Sequence, residues 1–257
     1  MGRLKNMLKR NIPSVVAVIT IIIIWQLFCT LGVLPSYMLP SPIEVIVAFY
    51  SELPILWENA LITLQEAFIG LISGVMVGFL VAVLMDKFAI LYKAFYPLLI
   101  ITQTIPSVAI APLLVLWFGY EMMPKIVLVV LSTFFPIAVG LLEGFHSADK
   151  DAIDLLRSMG ANSGQIFLHI KCPWALPQFF SGLKIAVTYS VVGAVISEWL
   201  GGFGGLGVYM TRVKKAFAFD KMFAVILLIS VISLGLMALV EFVEKKCMPY
   251  RYMDKKE

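Results

Sequence analysis

The sequence predicts an all-α integral membrane protein with about six transmembrane helices, on three observations. Of its 257 residues, 61% are hydrophobic, and the mean hydropathy is +0.96. Only 14% are charged, against about a quarter in a soluble domain. Apolar runs of about 20 residues, the length a helix needs to cross a bilayer, recur along the chain.

Hydropathy places the spans near residues 12–34, 60–85, 97–118, 122–143, 176–200 and 221–243. The first follows Arg3, Lys5, Lys9 and Arg10, a layout that resembles a secretory signal. The stretch from Ile12 to Leu34 is too long for a signal's apolar core and lacks a small-residue cleavage site, so it is expected to stay as a span. No linker rich in Pro, Gly or Ser interrupts the chain, which predicts one domain over residues 1–257.

Lys and Arg asymmetry sets the orientation. With the N-terminus in the cytoplasm, the inner segments hold the four cations before the first span. They also hold Lys87, Lys93, Lys150, Arg157, Lys171, Lys245, Lys246, Arg251, Lys255 and Lys256. The outer loop Pro35–Asn59 has neither Lys nor Arg. Arg212, Lys214, Lys215 and Lys221 dissent by falling outside; they form either a docking surface or a solvated face. Both termini are expected in the cytoplasm.

The second span carries Gly70, Gly74 and Gly78, a doubled G-x-x-x-G that lets another helix approach closely, within the subunit or across a dimer contact. The third carries Pro106 and Pro112, each of which removes a backbone donor and bends or breaks a helix. Gln103, Thr104 and Ser107 stand beside the first break. Broken helices at membrane depth are tolerated where they line protein or a cavity, so this segment is either a translocation path or a packing kink. Tyr189 and Ser190 are polar groups at similar depth on the fifth span. A polar group facing lipid costs free energy, so Gln103, Thr104, Tyr189 and Ser190 are expected to face a shared cavity. Glu66, Glu143 and Glu198 lie in or at the edges of spans, where ionisable groups are costly and default to functional candidates. Glu143 and Glu198 stand near span ends, within reach of water; Glu66 is deeper, as a functional group or a satisfied hydrogen bond.

The longest inner loop, 144–175, places Ala152, Leu155, Leu156 and Met159 on one helical face. Asp151, Asp154, Arg157 and Ser158 take the other. Ser147 or Asp149 can cap this helix, and Gly160 can end it. A second short helix starts at Asn162 or Ser163 and is expected to stop before Pro173. An exposed apolar face on a short helix suits a partner's groove. The other reading, a helix lying on the bilayer surface, is weakened by two acids and few bases on the polar face.

Asp154, Leu155, Leu156, then Gly160, then Ile170, Cys172 and Pro173 repeat the spacing E-A-A-x3-G-x9-I-x-L-P. That pattern is the cytoplasmic motif of bacterial ATP-binding-cassette (ABC) importer permeases, which the chain resembles. It departs from the motif in the Asp, the two Leu and the Cys, and keeps the Gly and Pro. The stretches LPSYMLPSPIEV (34–45), IPSVAIAPLLVLWFG (105–119) and SEWLGGFGGLG (197–207) resemble the nitrate/sulfonate/taurine branch. The resemblance implies that Asp154, Leu155, Leu156, Met159, Gly160, Ile170 and Pro173 form the element that inserts into an ABC ATPase subunit. It also implies a homodimer in the bacterial inner membrane, fed by an extracytoplasmic substrate-binding protein, with the cavity of Gln103, Thr104, Tyr189 and Ser190 on the dimer axis.

Several chemistries are excluded. Gly202, Gly204 and Gly207 satisfy G-x-G-x-x-G, but a transmembrane helix precedes them where a dinucleotide site needs a strand. There is no G-x-x-x-x-G-K-[ST], so ATP hydrolysis is expected on another chain. Cys29, Cys172 and Cys247 are far apart, and His146 and His169 lack ligand-spaced partners, so neither a metal nor another cofactor is indicated. With the hydropathy, the charge of +4 does not point to nucleic acid. No nucleophile–base set supports an enzyme. A stand-alone ion-coupled transporter is the alternative, disfavoured because the double proline is not repeated elsewhere. The branch's substrates span anions and vitamin precursors, and SEWLGG leans toward a pyrimidine- or riboflavin-type precursor.

Overall fold

The computed structural model describes residues 2–32, 35 and 38–249. Val33 and Leu34 of the expected first span, Ser36 and Tyr37 of the expected outer loop, and the tail cations Arg251, Lys255 and Lys256 lie outside the described residues. Those described form eleven α-helices and one π-helical turn, with no strand among them. The helices are α1 (Gly2–Thr30), α2 (Pro42–Ser51), α3 (Leu53–Lys87), α4 (Ala89–Thr102), α5 (Ser107–Phe118) and α6 (Met122–His146). They continue with α7 (Lys150–Ser158), α8 (Ser163–Ile166), α9 (Cys172–Leu200), α10 (Leu206–Lys215) and α11 (Phe219–Cys247).

Among the described residues, four helical stretches are long and apolar enough to cross a membrane: Leu53–Lys87, Met122–His146, Ser163–Leu200 and Phe219–Cys247. A fifth crossing arises if α4 and α5 count as one broken span, bent by 99°. The span expected at 97–118, bent or broken at its prolines, falls on this pair. Pro106 is the N-cap of α5, and the residue before a proline is driven out of the helical region, so the chain turns between Gln103 and Pro106. Pro112 is carried inside α5. The expected first span falls on α1, whose described apolar part, Val15–Thr30, is shorter than the roughly 20 residues of a full crossing.

The chain divides into two compact units, Met1–Trp57 with Tyr209–Leu228, and Glu58–Val208 with Ile229–Glu257. In the first, α2 begins with Pro42 after a capping box in which Ser41 and Glu44 satisfy each other's backbone N–H. Trp25 packs on Phe223 with ring centroids 5.7 Å apart. Glu52 pairs with Lys221 and accepts the Tyr209 hydroxyl at 2.9 Å. The Lys221 ammonium holds the Glu52 carboxyl below its ordinary range, while burial, then Glu52, pushes the Tyr209 hydroxyl up. This pair ties the loop before α3 to the start of α11.

The second unit is built on α6 packed along α9. A Cβ on Gly144 would stand 2.6 Å from the Ala175 Cα, and one on Gly140 2.8 Å from the Gln178 carbonyl oxygen. These absences let the two backbones touch. The α3 glycines do the same toward α6: a Cβ on Gly70 would meet Val129, on Gly74 Thr133, and on Gly78 the Phe134 carbonyl at 2.7 Å. The doubled G-x-x-x-G is thus a contact within the subunit.

Candidate functional site

The loop 144–175 forms as its capping residues dictate. The Asp149 side chain accepts from the Asp151 N–H at 3.0 Å and starts α7, whereas Ser147 closes α6. At the far end the Ala161 N–H reaches the Leu156 carbonyl, and the Gly160 N–H reaches that of Arg157. Those two bonds make a Schellman motif, and Gly160 supplies its positive φ of +87°. Leu155 and Met159 are 63% and 74% exposed, Leu156 is half-buried, and Asp154 pairs with Arg157 on the solvent side at 2.8 Å.

Beyond Gly160, Asn162 and Gln165 form a second capping box. The helix does not stop before Pro173, correcting that expectation. It passes through a π turn, Phe167–Lys171, directly into α9, with Pro173 in that helix's first turn. A proline clashes with the carbonyl four residues back and offers no N–H. Here the Cys172 N–H bonds five residues back to Phe167, and the widened turn absorbs the ring. Ile166 and Ile170 are buried, and Phe167 lies 5.1 Å from Phe145 of α6. Pro173 is exposed. Of the residues with coupling spacing, Leu155 and Met159 face outward, while Ile170 holds the loop to the helices.

The break between α4 and α5 opens a cavity of about 510 Å³. Its polar lining is Thr102, Gln103, Ser107, Ser132 and Tyr189, with Phe134 and Phe135 beside them, and no lining residue is Lys, Arg, Asp or Glu. The structure brings Gln103 and Tyr189 together there but not Thr104 and Ser190. The Thr104 hydroxyl bonds the Ile101 carbonyl, 2.8 Å away, outside the lining. Ser190 is 1% exposed and donates to the Val187 carbonyl at 2.8 Å; one residue along a helix turns a side chain by about 100°, so neighbours of Tyr189 face elsewhere. Thr102 and Ser132 were missed. Ser132, a hydroxyl inside an apolar span, was a usable signal, while Thr102 lay within the third span's polar run. Both bond their own helices, to Leu99 at 2.7 Å and Leu128 at 2.9 Å, which leaves oxygen lone pairs for the cavity.

The acidic candidates resolve into structure. Glu66 pairs with Lys125 at 2.5 Å, both nearly fully buried. Glu198 accepts from the Thr63 hydroxyl at 2.7 Å and the Gly207 N–H at 2.5 Å. Thr63 and Asn59 accept from the Leu206 and Gly205 N–H groups. The glycine-rich stretch is therefore a lid over buried carboxylates, since a Cβ at Gly205 would fall onto Glu198. Glu143 is exposed.

The family described as binding-protein-dependent transport system inner membrane component matches residues 74–248. A probable ABC transporter permease protein of Haemophilus influenzae is 37% identical over 227 residues, covering 88% of this chain and 93% of that one. The formylaminopyrimidine transport permease protein ThiX of Halalkalibacterium halodurans is 36% identical over 239 residues, covering 90% and 92%. A crystal structure of an amino acid ABC transporter superposes with a TM-score of 0.65 at 16% identity, covering 78% of this chain and 97% of that chain; this likeness bears on the fold alone.

Proposed function

This chain belongs to the family of binding-protein-dependent transport system inner membrane components and is an ABC importer permease of the multi-pass inner-membrane class; on that premise we propose that it carries an uncharged, ring-bearing solute of the pyrimidine or riboflavin precursor type. The observation that carries the substrate reading is the cavity at the α4–α5 break. Its lining mixes hydroxyls, one amide, one phenol and two phenylalanines without a formal charge. An anion there has no cation to offset its lost hydration, whereas a heterocycle offers N–H donors to the hydroxyl oxygens and a flat face to the rings. The identity to a formylaminopyrimidine permease supports the same reading.

In this reading Gln103 and Tyr189, with Thr104 near the break, lie along the translocation path, and Ser190 packs behind it. Leu155, Leu156 and Met159 enter an ATPase subunit's groove, with Asp154 on the polar side and Gly160, Ile170 and Pro173 setting the loop's shape. A homodimer, an ATPase and an extracytoplasmic binding protein complete the importer, with both termini in the cytoplasm. ATP-dependent uptake into proteoliposomes holding the permease, its ATPase and its binding protein tests this. Labelled aminopyrimidine is expected to accumulate and nitrate and alkyl sulfonate are not; uptake of either anion without the aminopyrimidine refutes the substrate class.

A further inference from the structure

The charges at the inner ends of α3 and α9 form a contact that neither the family motif nor the cavity accounts for. Asp86 is the next-to-last residue of α3, where unpaired carbonyls give the helix end a partial negative charge. A carboxylate there is repelled by its own helix, and this one is also largely buried, with its side chain 8% exposed. Burial of a charge in such a place requires a partner of opposite sign. The partner is Lys171, whose Nζ lies 2.7 Å and 2.9 Å from the two carboxylate oxygens.

Lys171 is the last residue of the π turn that joins the exposed docking helix to α9. A π turn is a local shift in hydrogen-bond register and one of the places where a helix kinks. The other ties between the loop and the helices, Ile166, Ile170 and Phe167, are apolar and non-directional. They hold the loop against the bundle by burial, without a directional polar contact. The two oxygen contacts to Lys171 tie the end of the π turn to α3, and α3 in turn reaches the buried carboxylate lid through Asn59 and Thr63, about 40 Å away along its axis.

We propose that the Asp86–Lys171 ion pair is the brace that passes displacement of the docking helix on to α3, so that the π turn does not absorb it. The inference rests on the reading of α7 as the ATPase-docking helix, and the test separates the two. Spin labels at Leu84→Cys and Ser158→Cys, in permease lacking Cys29, Cys172 and Cys247, report the α3-to-loop distance in nanodiscs without any partner. Asp86→Asn and Lys171→Gln are expected to broaden that distribution, and the exchange Asp86→Lys with Lys171→Asp to narrow it again. An unchanged distribution in both single variants overturns the brace whether or not the loop docks an ATPase.

In the reconstituted importer, the single variants are expected to bind the ATPase at wild-type yield. They should nevertheless hydrolyse about fivefold or more ATP per solute carried, the size of a modest coupling energy. The exchange is expected to restore the ratio. A broadened distance with an unchanged ratio overturns the transmission role, and failure of the wild-type permease to bind any ATPase counts against the docking reading alone.

Discussion

Truncating the exposed face of α7 is expected to weaken ATPase binding without unfolding the permease. Leu155 is 63% exposed and Met159 is 74% exposed, so most of each side chain is still available for burial in a groove. Complete burial of such a side chain stabilises by about 1.5–3 kcal/mol. Scaled by the exposed fractions, each contributes about 1–2 kcal/mol on docking, and the pair about 2–4 kcal/mol. At about 1.4 kcal/mol per tenfold, Leu155→Ala with Met159→Ala should raise the Kd by about 30- to 700-fold. The loss inside the free permease is small, because substitution at exposed positions moves stability by about 0.5 kcal/mol or less. Binding of purified ATPase to permease nanodiscs measures the Kd, and thermal melting of the permease alone controls for folding. A Kd within twofold of wild type, with normal uptake, refutes docking through this face.

Gly144→Val is expected to lower the melting temperature, since its Cβ meets the Ala175 backbone and overpacking of this kind costs about 1–3 kcal/mol or more; unchanged melting would show that α6 and α9 part easily. The Glu52 carboxyl has its folded-state pKa lowered, so its tie to Lys221 adds stability at neutral pH and loses it as pH falls through the lowered value. Glu52→Gln should therefore melt earlier than wild type at neutral pH, with the gap closing below about pH 4; a gap that widens in acid contradicts the sign. Cysteine placed at Ser51 should be labelled from outside intact cells and cysteine at Ser158 should not, and the reverse pattern inverts the orientation.

Composition alone was enough to determine the membrane class, because too few charges remain to clothe a soluble surface of this length. Local chemistry was also legible. Asp149, Gly160 and Asn162 act at helix ends through bonds to residues a few positions away, so spacing suffices to find them. The tertiary structure decided whatever depends on partners distant in sequence. Whether Gly70, Gly74 and Gly78 face a second copy or α6 is set by which helix comes within reach. The role of Glu66 turned on Lys125, 59 positions away, and that of Glu198 on Thr63, 135 positions away. Gln103 and Tyr189 share a cavity while Ser190 does not, because helical rotation separates neighbours that look alike in the chain. The second inner helix runs past Pro173 because a π turn makes room for the ring, and that register shift leaves no mark in residue type. The pairing of Asp86 with Lys171 was invisible for the same physical reason: each is an ordinary charge near a span end until folding buries the carboxylate and brings the Lys171 ammonium within 3 Å of it.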